Sequence, residues 1–180
     1  VPANLVSLLH RSIEAPDTER ALRGIFADAT RFTVHAPLPA SEALGDEGAA
    51  NHTRLASEAG VVHLFGWGKR AGAAKRTHKF VARQAYAASA AVARAAALTA
   101  ERTLLWQQDP SGIDAGAFHT DVLAVGSGAT LLLHERAFVD TPQLLGALRS
   151  RLGDAFVAVV ASEAELPLSD AVVAYPFNSQ

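Results

Sequence analysis

The sequence predicts an α/β fold, and three observations carry that expectation. Helical and strand-like stretches alternate along most of the 180 residues. The run Val61-Val62-His63-Leu64-Phe65, closed by Gly66-Trp67-Gly68, has the apolar density of a buried strand. Two apolar runs separated by Gly126-Ser127-Gly128, spanning residues 119–125 and 129–134, read as a hairpin.

Taken in order, residues 1–15 are mixed, with His10-Arg11-Ser12 a basic, hydroxylated step. Pro16-Asp17 predicts a helix start: Asp17 can cap the first turn, and Leu22, Ile25 and Phe26 fall on one face. Arg31 to Ala36 alternates like a strand and ends at Pro37 and Pro39. Gly45-Asp46-Glu47-Gly48-Ala49-Ala50-Asn51-His52 reads as a loop, and residues 51–59 fit either a short helix or an irregular segment. Residues 69–79 form a basic, Gly/Ala-rich connection, and residues 82–98 an Ala-rich helix with Arg83 in its first turn. A cation gains nothing from the dipole there, which points to a ligand or ion-pair role for Arg83. Thr103 to Gln107 is a strand and Asp109-Pro110-Ser111-Gly112 a turn. Asp140-Thr141-Pro142 opens a helix lined by Leu144, Leu145, Leu148 and Leu152 and stopped by Gly153. Phe156 to Val160 and Ala171 to Tyr175 read as the last two strands. Asp121 and Asp170 each precede an apolar run, a faint repeat of strand–helix–strand character.

The composition, 49% hydrophobic and 19% charged, suffices for a sizeable core. A net charge of −2 offers no electrostatic case for nucleic acid or an anionic membrane, and no apolar run has the length of a membrane span. The start carries no signal-peptide layout. The absence of cysteine excludes disulfides, thiolate metal sites and a cysteine nucleophile within these residues. The chain starts at Val1, contains no Met, and stops directly after an apolar run. Residues 1–180 thus read as one partial domain truncated at both ends.

Two polar clusters stand out: the glycine-flanked Asp46-Glu47 pair, and His119-Thr120-Asp121. On a strand, His119 and Asp121 share one face, and with Glu47 they could form an acid/base set with carboxylates for a cationic substrate. The same side chains, with His52, could instead hold a divalent metal. No close-spaced metal motif, P-loop or dinucleotide fingerprint is present, which places the organic reading first. Asp46 reads as a turn acid, and His35, His63, His78 and His134 as structural histidines.

Several blocks together resemble the N-succinylarginine dihydrolase family of the guanidino-group-modifying (pentein) superfamily. They are His10 to Pro16, Gly45 to His52, Ala82-Arg83-Gln84, Gln107 to Pro110, Ile113 to Val122, and Tyr175-Pro176-Phe177-Asn178-Ser179-Gln180. The resemblance implies a five-bladed α/β propeller, of which this chain would supply about three blades. It also implies cytoplasmic hydrolysis of N2-succinyl-L-arginine to N2-succinylornithine, two ammonia and carbon dioxide in bacterial arginine catabolism, without cofactor or metal. Through it, Glu47 matches the catalytic acid and His119 the catalytic histidine. His10, Arg11, Arg83 and Asp121 match substrate-contacting positions. The family attacks the guanidinium carbon with a cysteine thiolate, and no cysteine occurs here. The chain alone is therefore expected to be catalytically silent, a non-catalytic binding module being the alternative and a metal-dependent hydrolase the third reading. Thr120 stands where the family usually has Asn, and Ala85-Tyr86 replaces more polar residues. Removing blades would expose sheet edges, which favours low stability or self-association, a homodimer included.

Overall fold

The structure, a computed structural model, describes residues 1–178; Ser179 and Gln180 of the last sequence block lie outside the described residues. Helices and strands are mixed, as expected, and they are arranged around one unit used twice. The first unit is β1 (His52–Ser57), β2 (Gly60–Trp67), α2 (Tyr86–Ala95) and β3 (Thr103–Gln107). β1 and β2 form a hairpin, and α2 carries the chain to β3, which lies parallel to β2. The second unit repeats that path with β4 (Ala124–Ser127), β5 (Thr130–His134), α4 (Thr141–Leu152) and β6 (Val157–Ala161). Each three-stranded sheet keeps its strands in chain order. Preceding or linking these units are α1 (Leu9–Ile25) and α3 (Pro110–Ala115), and α5 (Leu168–Ala174) follows them. Among the described residues no helix is long and apolar enough to cross a membrane.

The two units share one core. α4 begins where Asp140 accepts a hydrogen bond from Gln143 N, and it ends at Gly153 with φ +68°. Its Leu144, Leu148 and Leu152 are fully buried together with Leu55, Val62 and Leu64 of the first sheet and Leu131 and Leu133 of the second. Burying each leucine contributes about 1.5–3 kcal/mol. The junction is also hydrogen-bonded: Ala56 N donates to Gly128 O at 2.7 Å, and Ser57 Oγ to Leu152 O at 2.7 Å.

Several expectations are corrected. The first helix begins at Leu9 and carries Pro16 in its interior, so Asp17 is not its cap and His10 and Arg11 lie in its first turn. Residues 31–36 form no strand: Arg31 N and Phe32 N close a turn on Asp28 O, and alternation marks a strand only where a neighbouring strand exists. Residues 51–59, left open above, are mostly β1. α2 starts only at Tyr86; Ala85 is extended and bridges Lys69, so Arg83 lies ahead of the helix and its dipole position is moot. Asp109 to Gly112 opens α3 rather than a free turn, with Asp109 Oδ1 accepting from Ser111 N at 2.8 Å. His119 to Leu123 is not strand, and the second hairpin starts at Ala124. Residues 171–174 are helical, Ala171 fully buried and Val173 85% exposed, a one-sided burial that suits a helix over a strand buried on both faces. The Asp121/Asp170 echo is thus not the repeat that the chain uses.

Two features of the first hairpin bear on stability. Gly66 lies directly against the Thr120 methyl group, where any Cβ would collide. Thr120 cannot swing aside freely, since its Oγ1 donates to Ala50 O at 3.0 Å and its N donates to Asn51 Oδ1 at 3.0 Å. Across the hairpin, His52 Nε2 and His63 Nδ1 share a hydrogen bond of 2.9 Å, their rings stacked 5.2 Å apart. Burial, then the charge of His63, depresses His52 to about 4. His63 is also lowered, first by burial and then by Arg54 and Arg102. His134 is the structural histidine expected: fully buried, its Nδ1 accepts from Arg136 N and its Nε2 meets Leu166 O at 2.9 Å.

Gly66→Ala should cost about 1–3 kcal/mol by overpacking. Gly66→Ala/Thr120→Ser, which removes the opposing methyl and keeps the hydroxyl, should recover most of that loss in urea melts. His52 makes acid destabilising in a defined window. Between its unfolded value of 6.5 and its folded value of about 4, the unfolded chain binds the extra proton. Stability is therefore complete above that window and falls as pH drops through it, by about 3 kcal/mol for a shift of this size. Denaturant titrations across pH 4–7 should show a smaller acid-side loss in His52→Gln; equal losses would contradict this assignment.

Candidate functional site

Backbone anchors place Glu47 before its side chain does anything. Asp46 and Asn4 exchange main-chain hydrogen bonds of 2.8 Å each, and Ala85 N donates to Gly45 O at 2.9 Å. Glu47 N donates to Gln84 Oε1 at 2.8 Å, and the same oxygen accepts from Asn51 Nδ2 at 3.2 Å. Gln84 Nε2 donates to Asp46 Oδ1 at 2.8 Å, which also receives Gly48 N at 3.1 Å. Asp46 is thus a buried structural acid, in keeping with its reading as a turn residue. Glu47 then caps the short 3₁₀ turn Gly48–Asn51 that feeds β1, its side chain only 2% exposed.

His119 occupies the corresponding place in the second unit. It stands at the head of the 3₁₀ turn Thr120–Val122, five residues before β4, as Glu47 stands five before β1. The Thr120 bonds to Ala50 and Asn51 tie the two turns to each other. His119 Nε2 consequently meets Glu47 Oε2 at 2.9 Å, and His119 Nδ1 lies 3.8 Å from Asp121 Oδ1. The expected His119/Asp121 juxtaposition is observed, but a tight turn makes it rather than a strand face. Thr120 between them is buried against Gly66.

Arg83 completes the cluster from the extended segment before α2. Its Nη1 is 3.4 Å from Glu47 Oε1, and its guanidinium lies 4.1 Å over the Phe118 ring. Arg11, in the first turn of α1, acts on Glu47 through its charge. His10 is exposed on the same turn and is not drawn into the cluster. The structure thus brings Glu47, His119, Asp121 and Arg83 together, with Arg11 nearby.

The electrostatics divide the two site carboxyls. Burial alone would push Glu47 up, but the His119 hydrogen bond and the charges of His119, Arg83 and Arg11 hold it below its usual range. Asp121 is pushed up by burial, only partly relieved by His119, and the nearby Glu47 charge pushes the same way. Its Oδ1 is buried without a hydrogen-bond partner. Beside it opens a cavity of about 440 Å³ lined by residues including His52, Arg54, Asp121, Gly126 and Asn178. A half-exposed acid lining such a space is suited to a cationic ligand. Among the described residues no group of three His, Asp or Glu side chains could hold a metal ion, and His52 is turned to His63 instead.

Sequence reading missed the supports: Gln84, Asn51 and Phe118. All three lie inside the quoted blocks, but nothing in spacing or periodicity distinguishes a buried amide hub from a surface glutamine.

Comparison with known proteins follows the same lines. The profile of the succinylarginine dihydrolase family matches residues 1–180. N-succinylarginine dihydrolase of Myxococcus xanthus (strain DK1622) is 57% identical across 99% of this chain and 41% of its own length. That of Burkholderia thailandensis is 50% identical over 99% of the chain and 42% of its own, and that of Marinobacter nauticus 47% over 99% and 41%. The chain thus spans about two fifths of the length of these relatives. With the family profile matching its whole length, the chain belongs to the succinylarginine dihydrolase family.

Proposed function

We propose that this chain supplies the acid, the histidine and substrate-holding side chains of a hydrolase that converts N2-succinyl-L-arginine to N2-succinylornithine, two ammonia and carbon dioxide. The observation that carries the reading is the His119–Glu47 bond of 2.9 Å, with Asp121 Oδ1, which accepts no hydrogen bond, 3.8 Å from the other His119 ring nitrogen. A guanidinium is planar and cationic, so carboxylates hold it through charge-assisted hydrogen bonds, and Asp121, whose Oδ1 accepts no hydrogen bond, is the acid assigned to it. Arg83, Arg11 and His10 suit the carboxylates of the succinyl end.

In this reading a thiolate bonds to the guanidinium carbon. A C–N bond then breaks, and His119 passes a proton to the departing nitrogen, which leaves as ammonia. His119 next takes a proton from water, whose oxygen bonds to the same carbon as the C–S bond breaks and the thiolate returns. A second round on the resulting ureido group releases the second ammonia and a carbamate that loses carbon dioxide. Glu47, kept ionised by its cationic neighbours, steadies His119 when it carries the extra proton. The sulfur must come from polypeptide other than these residues, which hold no cysteine. That same fact favours the second reading, a module that binds without turnover. We also infer that the two repeated units are neighbouring blades of a five-bladed propeller; the shared path and the side-by-side packing of β1 and β4 support this.

Purified chain should bind N2-succinyl-L-arginine yet release no ammonia from it; ammonia above the protein-free rate would overturn the need for an external thiolate. Asp121→Asn should weaken binding about tenfold or more, the scale of a hydrogen bond to a charged group. Because burial holds Asp121 above the usual carboxylate range and a guanidinium requires its ionised form, binding should release a proton and tighten as pH rises through that raised value. Calorimetry in buffers of different ionisation enthalpy measures this, and pH-independent binding unaffected by Asp121→Asn would count against the site.

A further inference from the structure

The segment between the basic loop and α2 has neither helix nor strand to hold it, yet it delivers Arg83. Its far end is tied down just past Arg83, where Gly68 N and Lys69 N donate to Gln84 O at 3.0 and 3.1 Å; its near end is tied by one carboxylate. Asp114 Oδ2 accepts from His78 N at 2.8 Å, and Asp114 Oδ1 accepts from Lys79 N at 2.8 Å and Phe80 N at 3.0 Å. Three consecutive backbone amides thus close on a single side chain of α3. Phe80 then meets the Phe118 ring edge-on, centroids 5.1 Å apart. The Arg83 guanidinium rests on that same Phe118 ring at 4.1 Å and reaches Glu47. Asp114 and His119 belong to one short stretch of chain, and residues 78–83 to another.

We propose that Asp114 is a positioning residue: it pins the segment that carries Arg83 to the segment that carries His119, so that Phe118 becomes the shelf on which Arg83 faces Glu47. The inference deepens the reading of Glu47, His119 and Arg83 as the working site and rests on it. Its immediate surroundings agree. The amide hydrogen bonds from His78 and Phe80 lead in holding the Asp114 carboxyl below its usual range, so it is a stable anion at neutral pH. The preceding loop is rich in alanine and cations and makes few internal hydrogen bonds. The Gln84 bonds fix only the end beyond Arg83; without the clamp, residues 78–80 would lose their tie to α3.

The test reads Glu47 directly and needs no turnover, so it can fail independently of the proposed activity. Carboxyl-carbon NMR of this chain would follow the Glu47 titration in the parent, Asp114→Asn, Phe118→Leu and Arg83→Gln proteins, with thermal melts recorded alongside. Arg83 helps to hold Glu47 low, together with His119 and Arg11, while Asp46 and Asp121 also face that region. Releasing Arg83 should therefore raise the Glu47 midpoint. Loss of the Asp114 charge acting through space alone would lower it, so the sign separates positioning from simple electrostatics. The expected result is an upward shift in Asp114→Asn and in Phe118→Leu, with no further upward shift when Asp114→Asn is added to Arg83→Gln. A folded Asp114→Asn whose midpoint stays or falls overturns the proposal. Should Asp114→Asn not fold, Phe118→Leu decides: an unmoved midpoint there overturns the shelf.

Discussion

One buried amide holds the site's acid in place. Gln84, 2% exposed, accepts from Glu47 N and Asn51 Nδ2 and donates to Asp46 Oδ1 and Ser89 Oγ. An amide has two donors and two acceptor lone pairs, and here each is used. The bond network reaches three parts of the chain at once: the acidic loop, the turn into β1, and the first turn of α2. Asp46 bears a cost for it. Its Oδ1 serves both Gln84 and Gly48, its Oδ2 is left without a partner, and burial pushes its carboxyl up. Such a network is worth keeping only if the backbone geometry it enforces matters, because a partly satisfied buried polar set is otherwise inferior to apolar packing.

Duplication explains how the acid and the histidine meet. Both head a short 3₁₀ turn ahead of the first strand of a strand–strand–helix–strand unit. When the units lie side by side, equivalent points come together at the seam. Gly126 of β4 is pressed against Thr53 and Leu55 of β1, so the approach tolerates no larger side chain. Gly66 against Thr120 repeats the constraint one layer up. The spacing of Glu47 from His119 is thus set by packing between two copies of one design.

Much of this was legible in the residues, for reasons that differ by element. α4 was read almost to the residue because its cap, its leucine stripe and its stop agree with one another. β2 and β3 were legible as dense apolar runs. The run at 171–175 misled because a short apolar stretch has the same composition in a buried strand and in a small helix. Pro16 misled because its usual place in a first turn outweighed the weaker, uncapped start at Leu9. In the site, the grouping of Glu47 with His119 and Asp121 and an ion-pair or ligand role for Arg83 were expected, but not the turns that bring the side chains together. His119 and Glu47 are 72 residues apart, and no local rule relates them.

That separation gives the seam a thermodynamic meaning. The acid and the histidine meet only while both units are docked, so whatever binds across them binds only the docked form and stabilises it. By mass action the ligand then acts as cement, adding stability in proportion to the logarithm of its concentration over its dissociation constant. Ligand concentration and structural cohesion are therefore one linked quantity in this fold. The pair of turns at its centre reports on both.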